Sequence, residues 1–286
     1  MYDVIIIGAG PAGISASLYI KRANLNVLVI HNGKSSLENA KIENYYGFPN
    51  GIQGKELYNN GIKQANLLGV EIKELEVIAI ENIKDGFSVN TVNGCFEAKS
   101  IIISTGNKKI KPNISGIKEF EGRGVSYCAI CDAFFYRNKD IAVIGNGKFA
   151  INEANELKNV AKKITVLTNG LDIEECEFDV NNIKIKKING STKVESIEFE
   201  DGTSINIDGI FVALGEASGS DFAKTLGIIQ EEESIKVNEK METNIKGVYA
   251  CGNTTGGLLQ VCKAVYEGSV AGISAVQYIR ENRKEN

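Results

Sequence analysis

The sequence predicts an α/β protein made of two similar, three-layer units, the second inserted into the first. Apolar segments of strand character alternate with segments of helical character, which is the order that helices packed on a parallel sheet require. A glycine-rich turn follows an apolar strand twice, at Gly8 and at Gly145, about 137 residues apart. The length of 286 residues fits about two domains of ordinary size.

The elements of the first unit follow from apolar runs and the turn residues between them. A loop at residues 32–54 is rich in Gly, Asn, Ser and Tyr. Pro11 suits the first turn of a helix. Strands are predicted at residues 4–7, 26–30, 71–72, 77–83, 87–91 and 101–104, and helices at 11–23 and 55–68.

The elements of the second unit repeat this order. The pattern loosens after Leu214, and the polar residues 281–286 predict a frayed end. Strands are predicted at residues 141–144, 164–167 and 248–253, a glycine turn at 145–150, and helices at 150–163 and 263–280.

Composition excludes several classes of protein. The net charge of −4 argues against a nucleic-acid-binding protein, which usually carries a basic surface. No apolar run approaches the ~20 residues that cross a bilayer, so no membrane association is expected. The opening Met-Tyr-Asp leaves no room for a signal peptide, so a soluble, cytoplasmic protein is expected. In that compartment the 6 cysteines do not indicate a disulfide framework.

The first glycine motif predicts a dinucleotide site of the Rossmann type. Gly8-Ala9-Gly10-Pro11-Ala12-Gly13 follows a strand and opens a helix. Gly8 permits the tight turn, Gly10 lets a pyrophosphate approach the backbone, and Gly13 lets the helix pack on the strand. The helix N-terminus offers N–H groups to the phosphates.

The end of the second strand departs from that pattern. Asp or Glu usually binds a ribose hydroxyl there, but this chain has His31, its one histidine. Three interpretations remain open: a group near the ribose or adenine, a surface histidine at a strand end, and a catalytic residue.

The segment Cys128-Ala129-Ile130-Cys131-Asp132 carries the predicted chemistry. Two cysteines at this spacing close a disulfide where a helix begins, and that position favours a thiolate nucleophile. Asp132 is placed to donate or accept a proton, or to interact favourably with the helix dipole. Structural zinc needs four ligands, and no second CxxC or histidine cluster is present, so no metal is expected.

Taken together, these motifs resemble the low-molecular-weight thioredoxin reductases over nearly the whole chain. The matching segments are Gly8–Gly13, Ile42-Glu43-Asn44, Ser104-Thr105-Gly106, Ser126–Asp132, Gly145–Ala150, Ala250–Asn253 and Gln260-Val261.

The resemblance implies a homodimeric flavoprotein with bound FAD that reduces thioredoxin. It implies an FAD-binding domain at 1–112 and 238–286, and an inserted domain at 113–237 that carries the cysteine pair and rotates between flavin and thioredoxin. It also implies that Cys131 faces the flavin and Cys128 attacks thioredoxin. The implied FAD-binding residues are Gly8, Gly10, Pro11, Ala12, Gly13, His31, Asn44, Thr105, Gly106, Gly252, Asn253, Gln260 and Val261; Asn253 stands where the family usually has Asp.

The chain lacks the residues with which this family grips NADPH. After the strand at 164–167 the family has a histidine and arginines, whereas here Asp172, Glu174, Glu175 and Glu177 follow. A 2′-phosphate needs Arg or Lys, and no Arg occurs between Arg137 and Arg280. Near the C-terminus, Leu259 replaces an arginine that is usual in the family. The chain therefore most resembles the ferredoxin-dependent thioredoxin reductases, which makes reduced ferredoxin the expected electron donor.

Three alternatives remain open: an NAD(P)H-dependent thioredoxin reductase with a divergent nucleotide site, a ferredoxin–NADP reductase, and a non-catalytic FAD-binding redox sensor. The cysteine pair argues against the second. A basic docking face for an acidic ferredoxin would lie at Lys108, Lys109 and Lys111 or at Lys184, Lys186 and Lys187, although such runs are often only solvated. Tyr266 is expected either over the flavin or in packing.

Overall fold

The computed structural model describes residues 1–106, 112–173, 176–231 and 234–283, which form two compact units. Unit 1 comprises Met1–Lys108 and Ser218–Asn286, and unit 2 comprises Lys109–Ala217. Because unit 1 consists of two chain segments and unit 2 lies between them in sequence, the second unit is inserted into the first.

The helices and strands of the described residues are as follows. The helices are α1 (Pro11–Arg22), α2 (Gly54–Leu67), α3 (Ala129–Asp132), α4 (Lys148–Leu157), α5 (Gly219–Leu226) and α6 (Val261–Asn282), with 3₁₀ turns at Ala133–Tyr136 and Gly252–Thr255. The strands are β1 (Tyr2–Ile7), β2 (Val27–His31), β3 (Lys41–Ile42), β4 (Ile52–Gln53), β5 (Glu71–Glu74), β6 (Val77–Ile83), β7 (Gly86–Thr91), β8 (Gly94–Ile103), β9 (Val125–Ser126), β10 (Asp140–Ile144), β11 (Lys163–Leu167), β12 (Asp179–Asn181), β13 (Ile185–Gly190), β14 (Val194–Phe199), β15 (Ser204–Asn206), β16 (Gly209–Val212), β17 (Gln230–Glu231), β18 (Ser234–Ile235) and β19 (Val248–Ala250).

Unit 1 is organised around a sheet with the strand order β5-β2-β1-β8-β7-β6, in which β19 also pairs with β8. The strands β5, β2, β1, β8 and β19 run parallel, and β7 and β6 add an antiparallel edge. Buried on both faces, β1 and β2 are almost entirely apolar, as parallel strands require. Helix α6 packs closely on α1 because Gly268 and Gly272 lie against the backbone of Ala12 and Ala16.

Unit 2 repeats the parallel arrangement in the strand order β12-β11-β10-β16-β9. The antiparallel sheet β13-β14-β15 belongs to the same unit. Residues of β10 and β16 are buried on both faces, with α4 and Ala129 on one side and residues of β13 and β14 on the other. Both units therefore have the predicted α/β class.

The second boundary between the units lies at Ala217/Ser218, not at 237/238 as expected from the sequence. Helix α5 accounts for the difference, since it packs against β6 of unit 1. The helix begins with a capping box between Ser218 and Asp221, and Gly227 ends it in the left-handed conformation at φ 72°. The capping box and Gly227 both lie after Leu214, where the apolar pattern of the sequence loosens.

Helix α4 ends at Leu157, six residues before the predicted end at 163. The backbone N–H groups of Val160 and Ala161 both turn back to the Leu157 carbonyl, and β11 begins at Lys163. No helix within the described ranges is long and apolar enough to cross a membrane.

Candidate functional site

The predicted FAD-binding residues of unit 1 gather at the carboxyl edge of its parallel strands. Strand pairing aligns Ile7, Ile30, Ile103 and Ala250, the last apolar residues of β1, β2, β8 and β19. The segments that follow these residues begin the loops at Gly8, His31, Ser104 and Cys251, so they open on the same edge. This edge is where ligands of open α/β sheets bind.

The first glycine motif has the geometry that a dinucleotide pyrophosphate needs. Gly8 has φ 110°, and a side chain on it would meet the backbone of Ser104 and Thr105. A Cβ on Gly13 would overlap the Gly8 carbonyl oxygen. A Cβ on Gly10 would meet nothing within 4 Å, so open space lies in front of the backbone where Pro11 and Ala12 begin α1. The residues present therefore fit a dinucleotide such as FAD.

The loop after β8 is held by the loop after β19. Ser104 Oγ lies 3.0 Å from the backbone carbonyl oxygens of both Ile7 and Gly8, and its hydroxyl proton is shared between them. The Gly106 N–H donates to Thr254 Oγ1 at 3.1 Å. Thr105 lies beside the position that a side chain on Gly219 would take. Thr105 and Gly106 thus belong to one packed edge. The residue that holds Gly106 there is Thr254, which the sequence did not single out.

A largely buried ion pair holds the turn that contains Gly252 and Asn253. Glu267 Oε2 accepts the Gly252 N–H at 2.8 Å and lies 2.9 Å from Lys263 Nζ. Lys263 Nζ also donates to the Gly252 carbonyl at 2.8 Å and to the Gly256 carbonyl at 2.6 Å. Burial, reinforced by the Glu267 charge, raises the pKa of the Cys251 thiol, so this thiol stays protonated. Sequence reasoning missed the Lys263–Glu267 pair, for which the i, i+4 spacing was the available signal.

Asn44 and Gln260 meet, although they stand 216 residues apart in sequence. The Asn44 side-chain amide donates to Gln260 Oε1 at 2.8 Å. Gln260 precedes Val261, the first residue of α6, and Asn253 lies in the 3₁₀ turn nearby in sequence. The bridge joins the segment between β3 and β4 to the start of α6.

His31 lies at the end of β2 and is held from two sides. Its Nδ1 accepts the Gly33 N–H at 3.1 Å and lies 3.3 Å from the Tyr58 hydroxyl. Because Nδ1 accepts, the neutral ring carries its proton on Nε2. Burial lowers the pKa of His31, and the Glu74 charge opposes part of this effect. The ring is therefore neutral at pH 7, and Nε2–H is its donor.

The cysteine pair lies in unit 2 and begins two residues after β9, at the carboxyl edge of that parallel sheet. Cys128 and Cys131 form a disulfide with Cα atoms 5.4 Å apart. Cys128 caps α3, because its Sγ accepts the Cys131 N–H at 3.2 Å. Cys128 is 8% exposed, whereas Cys131 is exposed. In this structure Cys131 is thus the accessible sulfur.

Asp132 is tied to the cysteine pair through Ser126. Ser126 Oγ donates to Asp132 Oδ2 at 2.6 Å and accepts the Cys128 N–H at 3.1 Å. The hydroxyl therefore links the candidate proton donor to the backbone of the first cysteine. Sequence reasoning also missed Glu153, a buried residue of α4 whose Oε2 accepts the Ala129 N–H at 2.7 Å.

The second glycine motif, Gly145–Ala150, forms a tight turn between β10 and α4. The segment after β11 is hydrogen-bonded to this turn. A Cβ on Gly145 would overlap the Ala213 carbonyl oxygen, as a close strand–turn–helix requires. The Asn146 side-chain amide donates to the Asp172 carbonyl at 2.9 Å. Lys148 is the first residue of α4. The backbone of Asp172 thus occupies one side of this turn.

The remaining groups that the sequence singled out include charged side chains and Tyr266. Glu174, Glu175, Lys108, Lys109 and Lys111 lie outside the described residues. Lys186 pairs with Glu198 on the neighbouring strand, which reduces the basic character of its cluster with Lys184 and Lys187. Tyr266 is exposed on α6. Among residues 1–106, 112–173, 176–231 and 234–283, no group of three His, Cys, Asp or Glu could hold a metal ion.

Comparisons with known proteins give the family. The pyridine nucleotide-disulphide oxidoreductase family model matches residues 2–268. A thioredoxin reductase of Bacillus subtilis is 34% identical over 304 residues, covering 98% of this chain and 96% of that protein. The solved atypical thioredoxin reductase TRi from Desulfovibrio vulgaris Hildenborough has a TM-score of 0.93 and 36% identity, covering 98% of this chain and 99% of that one.

A second solved structure, a ferredoxin-flavin thioredoxin reductase from Clostridium acetobutylicum, has a TM-score of 0.73 and 35% identity, covering 98% of each chain. The family model and these relatives each span nearly all of this chain. The chain therefore belongs to the pyridine nucleotide-disulphide oxidoreductases and, among them, to the low-molecular-weight thioredoxin reductases, whose cofactor is FAD.

Proposed function

We propose that this protein reduces thioredoxin through FAD bound to unit 1 and the Cys128–Cys131 disulfide of unit 2, with reduced ferredoxin as the electron donor. The observation that carries the proposal is the disulfide itself, which stands at a strand end with Asp132 attached through Ser126. The four other cysteines are free thiols, so no other disulfide competes for this role within the described residues.

The glycine turn at Gly8–Gly13, the Asn44–Gln260 bridge and the Gly252–Asn253 turn would hold FAD. Its Nε2–H makes His31 a donor for a ribose hydroxyl. When bound, FAD supplies chemistry that side chains lack, since it takes up electrons singly and passes them on as a pair.

The chain's own residues carry the sulfur chemistry. Reduction of the Cys128–Cys131 disulfide takes up two electrons and two protons and yields a dithiol. Asp132, oriented by Ser126, is placed to donate or accept one of those protons. One thiolate then attacks the thioredoxin disulfide, and the second cysteine resolves the mixed disulfide, which returns Cys128–Cys131 to the oxidised form. Because Cys128 is buried, its attack on thioredoxin would require a conformational change.

The nucleotide half-site of unit 2 supports ferredoxin over NADPH. No Arg is available to grip a 2′-phosphate between Arg137 and Arg280. The hydrogen bond from Asn146 to Asp172 draws the segment after β11 against the glycine turn, where a dinucleotide would approach. The relative from Clostridium acetobutylicum named a ferredoxin-flavin thioredoxin reductase supports the same donor. A ferredoxin near −400 mV and a thioredoxin near −270 mV differ by about 130 mV, or roughly 6 kcal/mol for two electrons.

Anaerobic stopped-flow measurement of flavin absorbance tests the donor. We expect reduced ferredoxin to bleach the flavin at least about a hundredfold faster than NADPH or NADH, because the segment that follows β11 has no Arg to bind the 2′-phosphate of NADPH. The same rates are expected for a C128S/C131S variant, since the donor step precedes the disulfide. Rapid bleaching by NADPH or NADH, with none by ferredoxin, would refute the proposed donor.

An NADH-dependent reductase is the second candidate, and one observation favours it. The Gly145–Ala150 turn keeps the close packing of a dinucleotide fold, and NADH carries no 2′-phosphate that would need Arg. This candidate predicts that NADH bleaches the flavin and that NADPH does so poorly. An N146G variant, which releases Asp172, would then be expected to bind NADH more tightly.

Two exposed aromatic rings beside the disulfide support thioredoxin as the partner. Phe134 and Phe135 follow α3 and are 73% and 66% exposed, and the Arg137 guanidinium lies 5.8 Å from the Phe134 ring centroid. Exposed aromatic and Arg side chains commonly anchor protein interfaces.

We expect F134A/F135A to raise the KM for thioredoxin roughly tenfold, equivalent to about 1.4 kcal/mol of binding, while flavin reduction by the donor stays unchanged. Steady-state insulin reduction with varied thioredoxin measures the effect. L67A, which removes a side chain exposed on α2 of unit 1, is the matched control and should behave as wild type. An unchanged KM in F134A/F135A would show that thioredoxin binds elsewhere.

We further propose that the protein is a cytoplasmic homodimer, as the family resemblance implies. Light scattering should then give a mass twice that of the chain. A non-catalytic redox sensor would show no multiple-turnover thioredoxin reduction in the insulin assay, which separates that alternative from the proposed enzyme.

A further inference from the structure

A buried carboxylate contacts the helix that carries the cysteine pair. Glu153, on α4, is 8% exposed, and its Oε2 accepts the backbone N–H of Ala129 at 2.7 Å. Ala129 follows Cys128 directly and is the first residue of α3. The charge therefore lies one residue from the cysteine that caps the helix, and the sulfur chemistry described above does not use it.

The residues that flank Glu153 on α4 are part of an apolar cluster. Ala129 and the neighbours of Glu153 on α4 pack in a cluster formed by the side chains of Ala129, Ile141, Val143, Phe149, Ala150, Ala154, Leu157 and Phe211. Salt screens a buried charge less than an exposed one. Glu153 is consequently placed to influence both the position and the electrostatics of the cysteine pair.

We propose that Glu153 is a positioning residue that fixes the start of the CxxC helix and keeps the reduction potential of the Cys128–Cys131 couple low. The inference rests on the disulfide chemistry proposed above. Reduction breaks the S–S bond and takes up two electrons; two protons follow when both sulfurs become thiols, and one when a sulfur remains a thiolate. The Cys131 N–H, which points to Cys128 Sγ, favours the thiolate.

The Glu153 charge opposes that thiolate, because like charges near each other disfavour ionisation. A less stable reduced form has a lower potential, just as an unusually stable reduced form makes a dithiol–disulfide couple a strong oxidant. A low potential makes the dithiol a better reductant for a thioredoxin disulfide. Glu153 thereby favours electron transfer from the dithiol to thioredoxin while its hydrogen bond holds the helix.

Redox equilibrium of purified E153Q against a dithiothreitol buffer tests the proposal, with the oxidised fraction read from the mass shift after alkylation. The amide retains an acceptor for the Ala129 N–H and removes only the charge. We expect roughly a tenfold shift toward the reduced form, equivalent to about 30 mV. We also expect thiolate absorbance at 240 nm to develop at lower pH. E156Q removes an exposed charge from the same helix and should match wild type.

A potential of E153Q equal to that of E156Q would overturn the proposal. So would a shift that occurs in E153A but not in E153Q, since it would assign the effect to packing. If E153Q does not fold, E153D and E153N, which differ only in charge, should show the same difference. A wild-type pair that dithiothreitol cannot reduce would instead contradict the proposed disulfide function itself.

Discussion

A C131S variant is expected to reduce thioredoxin at least about a thousandfold more slowly than wild type while binding FAD normally. A serine hydroxyl can neither form the disulfide nor resolve a mixed disulfide, so both halves of the exchange are lost. Flavin binding should persist because Cys131 belongs to unit 2 and the proposed FAD-binding residues belong to unit 1. Insulin reduction with ferredoxin as donor gives the rate, and the flavin-to-protein absorbance ratio gives the occupancy.

The matched control is C262S, which removes another exposed thiol and should keep the wild-type rate. C128S should be as inactive as C131S, because neither cysteine alone can form the disulfide or complete the exchange with thioredoxin. If C131S retained more than a tenth of the wild-type rate, the cysteine pair would not be the path of the electrons.

A G10A variant is expected to fold normally but to bind FAD about a hundredfold more weakly, a loss of roughly 2.7 kcal/mol. Gly10 has φ −68°, which any residue adopts, and its Cβ would touch no protein atom within 4 Å. The methyl group would instead occupy the space through which the pyrophosphate approaches the backbone. Titration of the apoprotein with FAD, followed by flavin fluorescence, gives the affinity.

The comparison variant G13A separates cofactor binding from folding. Its Cβ would collide with the Gly8 carbonyl and lie 2.6 Å from Ser104 Oγ, so the apoprotein itself should be destabilised, by about 1–3 kcal/mol. G61A, on α2, makes only an ordinary contact with Ile14, so it should leave the FAD affinity unchanged and should not destabilise the apoprotein. A G10A apoprotein with wild-type FAD affinity would exclude Gly10 from the pyrophosphate site.

The features that sequence predicted well are those fixed by local chemistry. The glycine turns, the apolar parallel strands and the CxxC spacing each have short-range causes, and they specified the class, the insertion and the disulfide segment. The boundary at Ala217/Ser218 was misplaced because α5 joins unit 1 through tertiary packing on β6, and apolar periodicity does not reveal the partner of a helix.

The contacts that sequence could not supply join residues far apart in the chain. The bridge between Asn44 and Gln260 spans 216 positions. Glu153 reaches the Ala129 N–H across 24 positions. From sequence alone, a buried glutamate on an amphipathic helix cannot be distinguished from a solvent-exposed one. Only the packing of α4 against α3 shows that its carboxylate is buried at the start of the helix that carries Cys131.

The central claim is that electrons leave the bound flavin through the Cys128–Cys131 pair to thioredoxin. It is tested most directly by reducing the purified protein chemically, removing excess reductant under anaerobic conditions and adding oxidised thioredoxin alone. The account predicts that oxidised flavin absorbance returns as thiols form in thioredoxin, and that neither change occurs in C128S/C131S. A wild-type protein whose flavin stays reduced while thioredoxin keeps its disulfide would contradict it.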